Sequence, residues 1–158
     1  MKRQKILVEC YNDERLFLAF KISKYDIEHS IGGKSEVLEK IKNKNNSLAV
    51  IDNDKRTRHS YFKKANLIDT ISSDIKVYYE SNRKNYFLVF YPCLESVVER
   101  IVNSDPENIS TAKRLKLNIS YKGLHNIGSD EIKLKKLKDL FMALIIRNQN
   151  IKAIEKYL

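Results

Sequence analysis

The chain predicts a single α/β domain with a mostly parallel central sheet flanked by helices, followed by a helical C-terminal segment. Three observations carry that reading. A length of 158 residues is that of one domain with one core. A composition 42% hydrophobic and 32% charged, with four Gly and two Pro, is globular and offers no linker. Short apolar runs alternate with helical patterns from residue 5 to residue 52, the order that builds parallel βαβ units. One domain is therefore expected over 1–158, with a motif-bearing core at 5–103 and a helical part at 104–158.

The first run, Lys5-Ile6-Leu7-Val8-Glu9, reads as a buried strand that ends at an acid. A helix over 13–20 follows, with Asn12 as its cap and acids in its first turn, where the helix dipole favours them. A second strand is expected near 27–31, then a turn at Gly32-Gly33. Val37, Leu38 and Ile41 mark a helix over 35–43. Ser47 to Asp52 is the clearest strand and also ends in acid. Parallel crossovers would place Glu9 and Asp52 on one sheet edge.

Beyond a polar stretch, 61–68 predicts a short helix, and 75–80 and 86–91 predict two strands. The link between those strands suits a hairpin as well as another crossover. Residues 94–102 read as a helix. Ser104-Asp105-Pro106-Glu107 opens the next, with capping residues and a proline near its first position. Leu137, Leu140, Phe141, Leu144 and Ile145 give one apolar face to a later helix, and 151–158 adds a last one.

Several function classes are disfavoured. Cys10 and Cys93 lack C-x-x-C spacing and read as small buried thiols. His29, His59 and His125 are isolated, which argues against a zinc hydrolase. The apolar run at Ile6-Leu7-Val8 is too short for a signal peptide, and no stretch approaches the ~20 apolar residues that span a bilayer, so a cytoplasmic protein without membrane contact is expected. Gly33-Lys34-Ser35 lacks the earlier glycine of a phosphate-binding Walker loop, since Glu28 occupies that position. The formal charge of +10 favours contact with polyphosphate, although scattered lysines also merely solvate a surface.

The informative pattern is acidic. In a parallel sheet, ligands bind beyond the carboxyl ends of the strands. Asp52 and Asp54 form a D-x-D pair there, able to converge on one hard cation, and Asp13 can face the same space from the mouth of the first helix. Mg²⁺ needs only one or two carboxylates plus waters and substrate phosphates. Taken singly, these acids have plain readings, with Asp-Asn-Asp as a turn and Asp13 as a helix-start acid. Their conjunction at the ends of two strands is what points to a site.

At these residues the chain resembles the Toprim family, the domain shared by topoisomerases, bacterial primases and the overcoming-lysogenization-defect nucleases. Ile6-Leu7-Val8-Glu9-Cys10-Tyr11-Asn12-Asp13 is similar to its apolar strand, Glu-Gly and following Asp. Leu48-Ala49-Val50-Ile51-Asp52-Asn53-Asp54 is similar to its second motif. Gly32-Gly33-Lys34 looks like the glycine turn before the second helix of Toprim-like nucleases. The similarity covers about residues 5–55 and extends to Pro92-Cys93-Leu94-Glu95. Cys10 stands where the family has Gly, and Lys55-Arg56 departs from the acidic run of topoisomerases.

The resemblance implies a small metal-dependent nuclease that uses Mg²⁺ or Mn²⁺ on DNA or RNA phosphodiesters. Glu9, Asp52 and Asp54 would hold one catalytic metal, with Asp13 and Glu95 helping a second about 4 Å away, so that both attacking and leaving oxygens are stabilised. The plain reading of Glu95 is an exposed acid at a helix start. Nucleic-acid contacts are expected from Lys34, Lys55, Arg56 and the Lys133, Lys135, Lys136, Lys138 cluster. Two other families with acids at strand ends fit less well, since receiver domains need paired acids where Glu9-Cys10 stands and dehalogenase-like phosphatases need Thr or Val where Arg56 stands. The alternative from a different class is a catalytically inactive Toprim-like module that binds nucleic acid, with Tyr78, Tyr79, Tyr86 and Tyr91 stacking on bases if they face solvent.

Overall fold

Chain order in the computed structural model, which describes residues 5–53 and 59–158, begins with β1 (Ile6–Val8), α1 (Tyr11–Ala19), β2 (Ile27–His29), α2 (Gly33–Ile41) and β3 (Leu48–Asp52). Then come β4 (Asn66–Ser72), β5 (Ile75–Glu80), β6 (Asn85–Phe90), α3 (Leu94–Asn103), α4 (Pro106–Leu115), α5 (Tyr121–His125), α6 (Glu131–Arg147) and α7 (Gln149–Ala153). The strands form one six-stranded sheet in the order β2-β1-β3-β6-β5-β4. Pairs β1·β2, β1·β3 and β3·β6 are parallel, while β6, β5 and β4 continue as an antiparallel arm. The fold is thus an α/β domain on a mixed, mostly parallel sheet. Among the described residues, no helix is long and apolar enough to cross a membrane.

Strand alternation divides the core in two. Ile6, Val8, Leu48, Val50, Leu88 and Phe90 face the layer made by α1, α3 and the C-terminal helices. Leu7, Ala49, Ile51, Phe87 and Val89 face α2 and Tyr61. Because both faces of the central strands are covered, they read as continuous apolar runs. Truncating a fully buried residue such as Leu88 to Ala would cost about 2–5 kcal/mol.

The chain leaves β1 to build β2 on one side and later returns to build β3 on the other. With α1 and α2 on opposite faces of the sheet, the ends of β1 and β3 form a topological switch point. Chain direction diverges there and leaves a crevice in which α/β folds bind ligands.

Two expectations are corrected. The segment 61–68 is not a helix: a single 3₁₀ turn at Phe62–Lys64 leads into the edge strand β4, which pairs antiparallel with β5. Leu67 and Ile68 are about half-exposed on that edge, and the long-range ladder to β5 outweighs the local helical preference. The first helix is capped by Cys10, not Asn12, and begins two residues earlier than expected. The strands at 75–80 and 86–91 resolve as an antiparallel hairpin. Asp105 caps α4 by accepting from the Glu107 N–H at 2.9 Å, with Pro106 opening the helix.

Candidate functional site

Glu9 lies one residue past β1, and Asp52 closes β3 beside it. The Glu9 carboxylate accepts from the backbone N–H of Asp52 at 3.0 Å, which ties the ends of the two parallel strands together. The Asp52 carboxylate crosses to α3 and accepts from the Leu94 N–H at 3.1 Å. That N–H belongs to the first turn of α3, where helix geometry leaves donors without intrahelical partners.

Glu95, next along α3, is buried. The plain reading of it as an exposed helix-start acid does not describe its position. Asn12 reaches it from α1, donating through Nδ2 to Glu95 Oε1 at 2.8 Å and to the Leu124 carbonyl of α5 at 3.0 Å. Asn12 therefore joins three helices at the acids, a role that sequence reading missed when it treated the residue as a helix cap.

Asp13 is buried under this cluster, and its Oδ2 accepts from the Glu9 N–H at 3.2 Å, the Cys10 N–H at 3.2 Å and the Cys10 thiol at 3.3 Å. This oxygen is committed to shaping the turn between β1 and α1. Cys10 itself has extended backbone angles, φ −143° and ψ 173°, which any L residue adopts, so the position does not demand glycine.

Like charges gathered in a buried place resist ionisation. Burial, then the charges of Asp52, Glu9 and Glu95, hold the Asp13 carboxyl well above the usual range. Burial, followed by Glu9 and Glu95, pushes Asp52 up to about 8, against the Leu94 N–H and the Lys34 charge, which pull it down. Lys34, in the first turn of α2, is near enough for its positive charge to act on Asp52. Gly33 precedes it with φ +68°, a conformation that favours glycine and lets the chain turn from β2 into α2.

Cys93 caps α3, and one donor atom from each of Asp52, Cys93 and Glu95 lies within 4.8 Å of the others. Neighbouring ligands about 2.1–2.3 Å from a shared cation stand roughly 3–4 Å apart, so the triad would have to draw in by about 1–2 Å to hold one ion. Burial first, then Asp52 and Glu95, raise the Cys93 thiol, while Ser96 lowers it. Its place in the Pro92-Cys93-Leu94-Glu95 segment was the available signal for Cys93, masked by its reading as an ordinary buried thiol.

Of the remaining sequence candidates, Asp54, Lys55 and Arg56 lie outside the described residues. Lys133, Lys135, Lys136 and Lys138 lie on α6, off the buried seam of Leu134, Leu137 and Leu140, and Lys133 is engaged with Asp130 at 3.5 Å. Tyr78 and Tyr91 bond to each other through their hydroxyls at 2.8 Å, and Tyr79 packs on Tyr86 at 4.7 Å. All four are half-buried in the sheet arm rather than presented as free ring faces.

Comparison of the chain with family models, curated proteins and solved structures finds no match.

Proposed function

We propose that this protein is a divalent-metal-dependent nuclease of Toprim-like kind, which hydrolyses phosphodiester bonds in DNA or RNA. The observation that carries the reading is the meeting of Glu9, Asp52 and Glu95 at the switch point of the sheet, with Cys93 among them. Asp52, Glu95 and Cys93 would hold Mg²⁺ or Mn²⁺, and Glu9 would add a further carboxylate beside Asp52. The donors fit such an ion: oxygens suit Mg²⁺ and Mn²⁺, while the thiol tilts the set toward the softer Mn²⁺. A divalent cation bound there neutralises charge on the scissile phosphate and polarises its oxygens.

The chain's own groups supply the remainder. Lys34 brings positive charge to the edge of an otherwise acidic centre, where a phosphate would approach. Asn12 holds Glu95 in place, and Asp13 shapes the turn that carries Glu9. The net charge of +10 favours a polyanionic substrate.

The test is incubation of purified protein with single- and double-stranded DNA and RNA in Mg²⁺, Mn²⁺ or chelator. Cleavage is expected with metal, none with chelator, and a loss of about 100-fold or more in Asp52→Asn. Absence of cleavage with retained binding would identify the inactive nucleic-acid-binding module instead.

A further inference from the structure

The acids do not stand alone on their edge of the sheet. Tyr11, the first residue of α1, is exposed, and its ring meets His29 edge-on at 4.4 Å. His29 ends β2, the outermost strand of the parallel part. Tyr121, the first residue of α5, is also exposed, and its ring stacks on His125 at 5.7 Å and 16°. The strand order β2, β1, β3 sets His29, Glu9 and Asp52 in that sequence along the sheet, with Tyr11 against His29 at one end and Tyr121 bonded to α3 one turn beyond Glu95 at the other.

Both tyrosines are held to that row by the main chain. Tyr11 lies between Cys10, whose thiol and N–H donate to Asp13, and Asn12, which donates to Glu95. The Tyr121 N–H donates to Glu99, one helical turn beyond Glu95, at 3.1 Å, and the α5 carbonyl of Leu124 receives Asn12. Burial, and then the groups Cys93, Glu95 and Asp52, raise the Tyr121 phenol above its ordinary value.

We propose that Tyr11 and Tyr121 are base-stacking platforms at the two ends of the acidic site, which make its substrate an unpaired strand of nucleic acid. The proposal rests on the nuclease reading for the reaction but not for the binding. A duplex keeps its base faces covered by its own stacking, so exposed phenol rings gain little from it. An unpaired strand can lay one base on each ring and carry the intervening phosphodiester past the acids. The neighbouring imidazoles, His29 and His125, supply N–H donors for flanking phosphates.

The experiment is fluorescence anisotropy with labelled oligonucleotides of about twelve nucleotides, as DNA and as RNA. Each is presented as a single strand, as the matching duplex and as a single strand with abasic positions, in Ca²⁺ with strand integrity checked on gels. Wild type is expected to prefer the intact single strand. Tyr11→Ala and Tyr121→Ala should each weaken that binding by about 5- to 100-fold, leave duplex and abasic binding unchanged, and be rescued by Phe. Tyr25→Ala is the control, since Tyr25 is 89% exposed but precedes β2 at the opposite sheet edge, and it should change nothing. Unaltered single-strand binding in the Ala variants, or equal losses on duplex and abasic strand, overturns the proposal. Tyrosine-dependent binding without hydrolysis would support the platforms and sink the nuclease reading; hydrolysis without tyrosine dependence would do the reverse.

Discussion

Asn12 donates to Glu95 at 2.8 Å across 83 positions of sequence, and the same amide nitrogen donates to the Leu124 carbonyl at 3.0 Å. One buried side chain thus holds an acid of the site and fastens α1 to α3 and α5. Such a positioning contact sets both the direction of the carboxylate and its readiness to bind a cation.

Replacing Asn12 by Ala is therefore expected to lower Mn²⁺ affinity by about 10- to 100-fold, measured by calorimetric titration. A merely structural asparagine serves as control. Asn85 is fully buried, accepts from the Ser47 N–H at 3.0 Å and donates to the Lys44 carbonyl at 2.9 Å, away from the acids. Asn85→Ala should cost about 1–3 kcal/mol of stability with unchanged affinity for the ion. Equal affinities in the two variants would remove the positioning role of Asn12.

Stability in chelator should fall as pH rises from about 4 toward 8. Asp52 is pushed up to about 8 in the fold, whereas its ordinary value is 3.8. Through that window the folded state holds a proton that the unfolded state has released, so raising pH favours unfolding. Asp13 is shifted in the same direction. Asp52→Asn carries no charge to bury and should flatten the profile, exceeding wild type at pH 8 by about 4 °C or more in Tm. A wild-type Tm that rises over the same range would contradict the repulsion argument.

Added Mn²⁺ is expected to reverse this loss, raising the wild-type Tm at pH 8 but not that of Asp52→Asn, because a ligand that binds only the folded state stabilises it by mass action. The same ion at pH 5 should act weakly, since protons then compete for Asp52.

If the site holds a metal, Cys93 is expected to set its preference. In Cys93→Ser a hard oxygen replaces a soft sulfur, so Cd²⁺ affinity should fall more than Mg²⁺ affinity. Parallel titrations with both ions check this, and proportional losses would place the thiol outside the ligand set.

Binding to nucleic acid should weaken steeply with salt, and Lys34→Ala should reduce the slope of log affinity against log salt by about one. An unchanged slope would separate Lys34 from the phosphate path, although its charge still acts on Asp52.

What was legible in the sequence was local and periodic. The continuous apolar runs at Ile6-Leu7-Val8 and Leu48-Ala49-Val50-Ile51 identify buried parallel strands, and the acids that end them, Glu9 and Asp52, mark the carboxyl edge, because strand direction follows from the βαβ order alone. Tertiary structure decided the rest. It made an edge strand of 66–72, because a partner strand supplies hydrogen bonds that local spacing does not reveal. It converted Glu95 from an apparent surface acid into a buried one, and brought Asn12, Cys93 and Tyr121 to the same place. The Pro92-Cys93-Leu94-Glu95 segment pointed toward Cys93 and Glu95, but nothing in the local sequence of Asn12 or Tyr121 announces its place. Their meeting depends on α1, α3 and α5 packing against one another, and on long-range burial that makes each polar group seek its partner across the fold.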